Sequence, residues 1–334
     1  MAQEYGHFDD ANREYVITNP ATPFPWINYL GNEDFFGLIS NTGGGYDFYK
    51  DAKFRRITRY RYNSVPMDSV GRYFYVKDGE TIWNPGWKPC KTALDSYECR
   101  HGLNYTRITG AKNKVRASVL FFVPLGVKAE IQRLTLTNES DETKRLKLFS
   151  YAEWCLWNAA TDGENFQRNL STGEVEIERA KGEGTNGESW TAIYHKTEYK
   201  ERRNHYAYYS VNCPVNGYDT DRESFVGLYN ELSEPSVVSN QQSANSLAHG
   251  WSPIASHFIE VELKPGESKE FVFVLGYEEN EENEKFETSR SRDFETSTCF
   301  SSTTGAGSSM TFCGSFSTTG AGSSIFCDMS SVGR

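Results

Sequence analysis

The sequence predicts an all-β fold built as a large antiparallel β-sandwich. Before Tyr277 it consists of many short runs rich in β-branched and aromatic residues, bounded by Gly, Pro or Asn. No run in this part carries apolar residues at i, i+3, i+4 and i+7 over a helical length. With 334 residues, 37% hydrophobic and 14% aromatic, the chain can bury one large core or two small ones.

The first strands are predicted around a glycine turn. Phe35–Ile39 and Tyr46–Tyr49 are typical of strands, and Gly43–Gly45 lies between them. Because the glycines lack the Lys and Ser or Thr of a phosphate-binding loop, a tight turn is favoured. Basic and aromatic residues then interleave in Phe54–Tyr62. We interpret this run as a strand with one solvated face, since stacking of nucleic-acid bases is disfavoured in an acidic chain.

Later segments repeat the pattern. Polar Asn138–Thr143 and the Pro-Gly sequence of Lys264–Glu267 predict turns between strands. Leu146 and Leu148 are predicted to face the core. The remaining predicted strands are Arg72–Val76, Asn104–Thr109, Lys114–Phe122, Trp190–His195, Tyr206–Val211, Phe225–Tyr229, Phe258–Leu263 and Phe271–Tyr277.

Two local patterns are less regular. Apolar residues occupy odd positions up to Ile131 and even positions from Leu134, which predicts a β-bulge near Gln132 or Arg133. The segment Trp83–Trp87 contains Pro and Gly and is predicted to be a turn with exposed aromatic side chains.

Charge and cysteine content restrict the partners. The net charge of −10 argues against nucleic acid and anionic membranes, both of which require a basic surface. No apolar run is long enough to span a bilayer and no signal peptide is recognisable, so we expect a cytoplasmic protein. The cysteines and histidines predict no metal site. The seven cysteines are scattered without a C-x-x-C pair, and the histidines are dispersed. We expect the first four cysteines to be buried or idle thiols.

The segment Trp154–Asn169 is the candidate ligand site. It begins as an aromatic strand end and breaks, through Asp162 and Gly163, into a loop that combines amides, a guanidinium group and aromatic rings. Flat apolar faces together with fixed donors and acceptors suit a sugar. A loop with satisfied amides and no ligand is the equally favoured alternative on composition alone.

The segments Tyr5–Thr18, Thr22–Gly31 and Asn165–Glu178 carry a resemblance to a known family. They read YGHFDDANREYVIT, TPFPWINYLG and NFQRNLSTGEVEIE, and resemble the start of the cellobiose phosphorylases. These are inverting glycoside phosphorylases of glycoside hydrolase family 94, which also includes chitobiose and cellodextrin phosphorylases. The likeness extends from about Gly6 to about Tyr277, and its closeness favours cellobiose over the other two substrates.

The resemblance implies a supersandwich domain at residues 1–277 followed by a large (α/α)6 catalytic barrel. No residue of this sequence matches the barrel. Instead, residues 278–288 form an acidic linker, and residues 289–334 are a low-complexity tail in which Ser302–Ser309 recurs as Ser317–Ser324. We expect the tail to be disordered, because it offers too little apolar surface to offset its ordering entropy. A shifted or truncated reading frame is our hypothesis for its origin.

The resemblance also implies the chemistry. The family cleaves cellobiose with phosphate as co-substrate and without another cofactor, giving α-glucose 1-phosphate and glucose with inversion. Its general acid is an aspartate on the barrel, so we expect no catalytic residue in this chain and no activity from the chain alone. Family members are homodimers, and we expect the same here.

Five residues are the candidate sugar contacts. In similar enzymes the loop equivalent to Asn158–Asn169 reaches toward the active site, and residues of the Tyr49–Arg61 region lie near it. The resemblance gives Gln167 and Arg168 as the acceptor-side contacts, with Tyr49, Asn158 and Asn165 as weaker candidates.

Two alternatives to a phosphorylase fragment stay open. One is a stand-alone carbohydrate-binding sandwich, and the other is a structural dimerisation module.

Overall fold

The computed structural model describes most of the predicted sandwich as strands. It describes residues 4–61, 65, 67–164, 174–181, 189–196, 205–248, 252–279, 296–304, 308–317 and 324–328. Its first ten strands are β1 (Gly6–Asp9), β2 (Glu14–Ile17), β3 (Ile27–Gly31), β4 (Phe35–Ser40), β5 (Gly45–Tyr49), β6 (Arg56–Thr58), β7 (Arg72–Asp78), β8 (Thr81–Trp83), β9 (Ser96–Gly102) and β10 (Tyr105–Lys112).

The second half adds the longest strands and three short helices. They are β11 (Val115–Phe122), β12 (Ala129–Asn138), β13 (Lys144–Trp157), α1 (Ala159–Glu164), β14 (Glu174–Lys181), β15 (Ser189–Lys196), β16 (His205–Val211), β17 (Gly217–Asp221), α2 (Arg222–Val226), α3 (Ser236–Ser239), β18 (Pro253–Leu263), β19 (Ser268–Glu279), β20 (Thr296–Thr304), β21 (Ser308–Ser317) and β22 (Ser324–Asp328).

Two large antiparallel sheets make up the sandwich within the described residues. The first has ten strands in the order β1-β2-β9-β10-β11-β12-β19-β16-β15-β14. The second has nine, in the order β17-β18-β13-β6-β5-β4-β3, with β7 paired to both β13 and β8. Strand β13 is the longest and pairs with β18 on one edge and with β7 and β6 on the other. The all-β antiparallel fold predicted from the sequence is confirmed.

The main core lies between the sheets. On β13, Leu146 and Leu148 are buried in it as predicted, and on β12 Leu134 and Leu136 are buried opposite. Burial of a side chain of this size contributes about 1.5–3 kcal/mol. The largest apolar side chains of this core include Phe35, Phe74, Trp83, Phe121, Trp154, Tyr209, Phe273 and Tyr277.

A second, smaller core covers the outer face of the second sheet. Because side chains alternate along a strand, Phe149 and Tyr151 of β13 point away from Leu146 and Leu148. They pack with Phe225 of α2 and Val238 of α3. The two short helices therefore close the outside of the sheet next to β13.

The predicted turns are confirmed where the chain reverses between neighbouring strands. Gly43, with a φ of 87°, lies in the turn between β4 and β5. Gly266, with a φ of 73°, lies between β18 and β19, and Glu267 N–H donates to the Lys264 carbonyl at 2.9 Å. Asn138 ends β12, and β13 starts at Lys144.

The strand predicted at Phe225–Tyr229 is wrong, because residues 222–226 form helix α2. The Asp221 side chain accepts a hydrogen bond from Ser224 N–H at 2.9 Å, which caps the first turn. Gly227, with a φ of 91°, ends it. The helix is too short to show an apolar period, so the capping aspartate was the available signal.

The predicted bulge in β12 is also wrong. β12 pairs with β11 and β19 in unbroken register. The inward-facing positions are even throughout, and three of them are the buried polar residues Glu130, Gln132 and, at the strand end, Asn138. The apolar alternation shifts because polar side chains replace apolar ones at Glu130 and Gln132, not because the strand is irregular.

Glu130 belongs to an ionic cluster between the sheets, which we call the inner cluster. Arg72 of β7 donates from Nη2 to Asp47 Oδ1 at 3.0 Å and from Nε to Glu130 Oε1 at 2.8 Å. Gln132 donates to Glu130 at 2.9 Å and accepts from the Tyr209 hydroxyl at 2.8 Å. The cluster therefore joins the two sheets through hydrogen bonds in the middle of the core.

Two further predictions need correction. Trp83 is fully buried in the main core, although the segment was predicted to expose its aromatic residues. Since β8 ends at Trp83, the turn begins only after this side chain has been placed inside. The predicted strand at Phe54–Tyr62 is reduced to the three residues of β6, which insert between β5 and β13.

The tail contains β20, β21 and β22, which pair in a separate three-stranded sheet. This sheet is not hydrogen-bonded to the sandwich sheets within the described residues. The boundaries assigned to the linker and the tail, and the disorder expected of the tail, stay predictions. In the part of the chain that the structure describes, no helix is long and apolar enough to cross a membrane.

Candidate functional site

The candidate site begins where β13 ends. Asn158 follows β13, and helix α1 starts at the next residue. Asn158 Oδ1 accepts from Ala160 N–H at 3.1 Å, and its carbonyl accepts from Asp162 N–H at 2.9 Å. Ala159 N–H donates to the Lys53 carbonyl at 2.7 Å, which ties α1 to the segment between β5 and β6. Hydrogen bonds within α1 and to Lys53 therefore fix the main chain that precedes the predicted loop.

A bidentate ion pair fixes α1 further. Arg59, just after β6, donates from Nε to Asp162 Oδ2 at 2.8 Å and from Nη2 to Oδ1 at 2.6 Å. The Asp162 side chain is only 6% exposed. Two parallel hydrogen bonds from a guanidinium group set both the position and the orientation of the carboxylate. Arg59 belongs to the Tyr49–Arg61 region that the resemblance placed near the sugar site.

Glu153 of β13 extends this arrangement to α2. It accepts from Arg222 Nε at 2.7 Å and from the Tyr151 hydroxyl at 2.6 Å, and Arg59 Nη1 lies 3.4 Å from its second oxygen. Arg222 is the first residue of α2. We call the four charged residues Arg59, Glu153, Asp162 and Arg222 the outer cluster.

Glu153 of the outer cluster is ionised at neutral pH. Burial of Glu153 opposes its ionisation, but the positive charges of Arg222 and Arg59 outweigh burial and lower its pKa to about 2. Two guanidinium groups are thus matched by two carboxylates. The outer cluster therefore joins the residue after β6 to β13, α1 and α2, next to the start of the predicted loop.

Tyr49 occupies a different environment from Asn158. Its ring is buried and stacks on Tyr277 with centroids 4.4 Å apart. Arg55 Nη1 lies 3.1 Å from the Tyr277 hydroxyl and 2.7 Å from His205 Nδ1. The Tyr277 hydroxyl in turn donates to Glu279 at 2.6 Å. Tyr49 therefore packs at the rim of the main core.

The predicted sugar contacts are only partly described. Asn158 lies at the loop base, and Tyr49 lies at the core rim. The remaining three, Asn165, Gln167 and Arg168, lie outside the described residues. The structure thus describes the elements that precede the predicted loop, and the sugar-contact roles of all five residues stay predictions.

Sequence reasoning missed the outer cluster. Among 45 acidic residues no pair could be selected by spacing, and the partners are 69 to 103 positions apart in the chain. One signal was available, because Glu153 stands in the otherwise uncharged run Phe149–Trp157. A charge in such a run requires a partner when the strand is buried.

Metal and thiol chemistry receive no support from the residues that the structure describes. In these residues no group of three or more His, Cys, Asp or Glu side chains could hold a metal ion. Within the described residues, Cys90, Cys99, Cys155 and Cys213 form no disulfide bond. Burial raises the pKa of the Cys90 and Cys99 thiols, which makes them less reactive. Cys99 and Cys155 are buried as expected, whereas Cys90 and Cys213 are half-buried.

Comparison with known proteins identifies the family. Residues 13–293 match the model of the glycosyl hydrolase 94 supersandwich domain. The chain belongs to the glycosyl hydrolase 94 family.

Curated glycosyl hydrolase 94 relatives agree with this assignment. The chain is 34% identical over 277 residues to N,N'-diacetylchitobiose phosphorylase of Vibrio furnissii, covering 82% of this chain and 33% of the relative. It is 31% identical over 270 residues to solabiose phosphorylase of Paenibacillus borealis, covering 79% and 33% respectively. The chain therefore spans about a third of the length of these relatives.

Solved structures show a weaker likeness. A GalM/aldose epimerase homologue from C. elegans aligns with a TM-score of 0.48 and 9% identity, covering 76% of this chain and 99% of that one. At this level the similarity carries no functional argument. Membership of the glycosyl hydrolase 94 family rests on the sequence match.

Proposed function

We propose that this chain is the sandwich portion of a cellobiose phosphorylase, in which it contributes part of the sugar site and dimer contacts. The observation that carries the proposal is the match to the supersandwich domain over residues 13–293, together with identity above 30% to two disaccharide phosphorylases. The chain spans a third of those relatives, so the complete reaction is assigned to a longer assembly.

The proposed reaction is inverting phosphorolysis of cellobiose to α-glucose 1-phosphate and glucose. Phosphate is already an anionic nucleophile, so the enzyme needs one carboxylic acid to protonate the glycosidic oxygen and none to activate water. We assign that acid and most of the phosphate site to the part of the relatives that this chain does not span. The chain alone should therefore release no glucose 1-phosphate.

The sandwich acts on the acceptor side of this reaction. The outer cluster fixes α1, and the loop predicted to follow in the sequence carries Asn165, Gln167 and Arg168. An arginine can donate two oriented hydrogen bonds to neighbouring hydroxyls, and a glutamine can donate and accept. We infer that Gln167 and Arg168 orient the acceptor glucose, with Asn158, Asn165 and Tyr49 in supporting positions.

The test is a chimera in which residues 13–277 replace the matching segment of the Vibrio furnissii relative. In the synthetic direction, Arg168→Ala should raise the KM for the acceptor sugar by at least about tenfold, because a charge-assisted hydrogen bond contributes about 1.5–3 kcal/mol. Arg145→Ala, which removes an exposed arginine from the start of β13, is the matched control. An acceptor KM that is equal in the two variants contradicts the assignment.

Substrate choice and dimer formation are tested on the unaltered chain. We expect calorimetry to show tighter binding of cellobiose than of N,N'-diacetylchitobiose, and sedimentation to show a dimer. If the chain binds N,N'-diacetylchitobiose more tightly, cellobiose is wrong as the proposed substrate. A dimer that binds neither sugar would favour a purely structural dimerisation module.

A further inference from the structure

A polar depression lies on the outer face of the second sheet, beside the small core. It has a volume of about 330 Å3, and Phe258 of β18 lines it. One wall is the segment that follows α3. Lys147 of β13 holds this wall by donating from Nζ to the Gln241 carbonyl at 2.7 Å. Ligand sites in proteins begin at about 300 Å3, so the depression has the size for a small ligand.

The wall is fixed by buried hydrogen bonds. The Ser243 hydroxyl lies 2.7 Å from Asp219 Oδ2, and Ala244 N–H donates to the same oxygen at 3.2 Å. A side chain at Gly217 would place its Cβ 2.6 Å from Ser243 Cβ, so only glycine permits this close approach. A ligand would therefore enter a site that is already formed, which avoids the entropy cost of ordering a loop.

Side-chain amides dominate the lining. Asn216 Oδ1 accepts from Glu260 N–H at 2.8 Å, and Asn245 Oδ1 accepts from Tyr218 N–H at 3.3 Å. In both cases the amide NH2 group is left to donate elsewhere. Within the described residues, the side-chain amides of Gln241 and Gln242 make no hydrogen bond to protein. The depression thus offers several donors and acceptors that protein groups do not use.

The charges in the depression narrow the ligand class. Lys147 Nζ lies 3.7 Å from the Glu260 carboxylate, so the two charges largely balance. A single carboxylate beside an ammonium group is a poor cation site, and the same pair is a poor anion site. Phe258 alone gives little apolar surface. The ligand class that remains is a neutral molecule rich in hydroxyl groups, because hydroxyl groups can donate to and accept from side-chain amides.

We propose that this depression is a second saccharide-binding site, separate from the predicted sugar contact Asn158. Lys147 and Asn158 are eleven residues apart along the extended β13 segment, or about 36 Å at ~3.3 Å per residue. One disaccharide cannot reach both places. The proposal does not depend on the proposed function, because it rests on the lining of the depression alone.

The test uses the complete chain, 15N-labelled, with cellobiose and N-acetylglucosamine as probes. Side-chain NH2 resonances of Asn216 and Asn245 should shift on titration with at least one of the two sugars. The double variant Gln242→Ala/Glu260→Ala removes two exposed groups from the rim and should weaken this binding at least tenfold. Asn12→Ala, an exposed amide in the turn between β1 and β2, should bind as the unaltered chain does.

A second variant separates the two sites. Gln167→Ala/Arg168→Ala should leave the shifts at Asn216 and Asn245 unchanged, whether or not those residues contact an acceptor sugar. The proposal is overturned if neither sugar shifts these resonances. It is equally overturned if Gln242→Ala/Glu260→Ala binds as tightly as the unaltered chain, or if the loop variant abolishes the shifts.

Discussion

The inner and outer clusters lie on opposite faces of the second sheet and differ in charge balance. The inner cluster has one guanidinium group, Arg72, for two carboxylates, Asp47 and Glu130, all three fully buried. The outer cluster has two guanidinium groups for two carboxylates, and the Arg222 side chain is 37% exposed. One cluster joins the sheets, and the other fixes short elements onto a sheet.

The pKa shifts follow from this difference. Burial raises the pKa of Asp47 well above its ordinary value, because the charge of Arg72 offsets burial only in part and the charge of Glu130 adds to the effect. In the outer cluster the pKa of Glu153 is lowered to about 2, since two arginines outweigh burial. In these two clusters, the direction of the pKa shift of the buried carboxyl group therefore follows the number of cations beside it.

The largest expected effect is at the inner cluster. Arg72→Ala leaves the buried carboxyl groups of Asp47 and Glu130 without a cation and should lower the free energy of unfolding by about 3–5 kcal/mol. Urea denaturation monitored by tryptophan fluorescence measures it. Arg145→Ala breaks an exposed pair with Glu262 and should cost at most about 1 kcal/mol. If the two variants lose the same free energy of unfolding, the structural role assigned to the inner cluster is contradicted.

A smaller effect is expected at the outer cluster. Glu153→Gln should lower the free energy of unfolding by about 2–3 kcal/mol at pH 7, because hydrogen bonds to a charged partner are lost while Arg59 keeps Asp162. Since the folded pKa of Glu153 is about 2 and the ordinary value is 4.5, its contribution is complete above pH 4.5. The difference between the two proteins should shrink as pH falls from 4.5 toward 2. A difference that is constant over this range contradicts the assigned charge.

The smallest effect has the opposite pH dependence. A raised pKa means that the folded chain binds a proton at Asp47 which the unfolded chain releases above pH 3.8. Asp47 therefore stabilises the fold at low pH and does so less as pH rises. Relative to the unaltered chain, Asp47→Asn should gain about 1.4 kcal/mol of stability for each pH unit between that value and the raised pKa of the folded chain. Urea denaturation at pH 4, 5 and 6 measures this slope, and a flat difference would show that Asp47 holds no proton.

Much of the fold could be predicted from local patterns. The turns at Gly43–Gly45 and Lys264–Glu267 were predicted correctly, since their glycines signal positive φ without reference to distant residues. The inward placement of Leu146 and Leu148 was predicted from alternation alone. Helix α2 was missed because its five residues are too few for an apolar pattern from i to i+7, and the strand prediction followed from Phe225 and Val226.

The candidate site was less predictable than the fold. The sequence indicated the segment that holds Asn158, through its change from apolar strand to polar loop. It did not indicate that Arg59 pairs with Asp162, because the two are 103 positions apart. Contacts of that separation depend on which strands become neighbours, and no local pattern records this.

The sequence by itself determined that the chain is all-β, where most strands turn, and to which family it belongs, because these follow from local conformational preference and from matching residues. Only the tertiary structure decided which charges meet. It placed Glu130 and Gln132 on the inner face of an unbroken strand and brought Arg59, Glu153, Asp162 and Arg222 together under α1. The physical reason is that a buried charge is tolerated only beside its partner, and strand order in the two sheets sets where that partner lies.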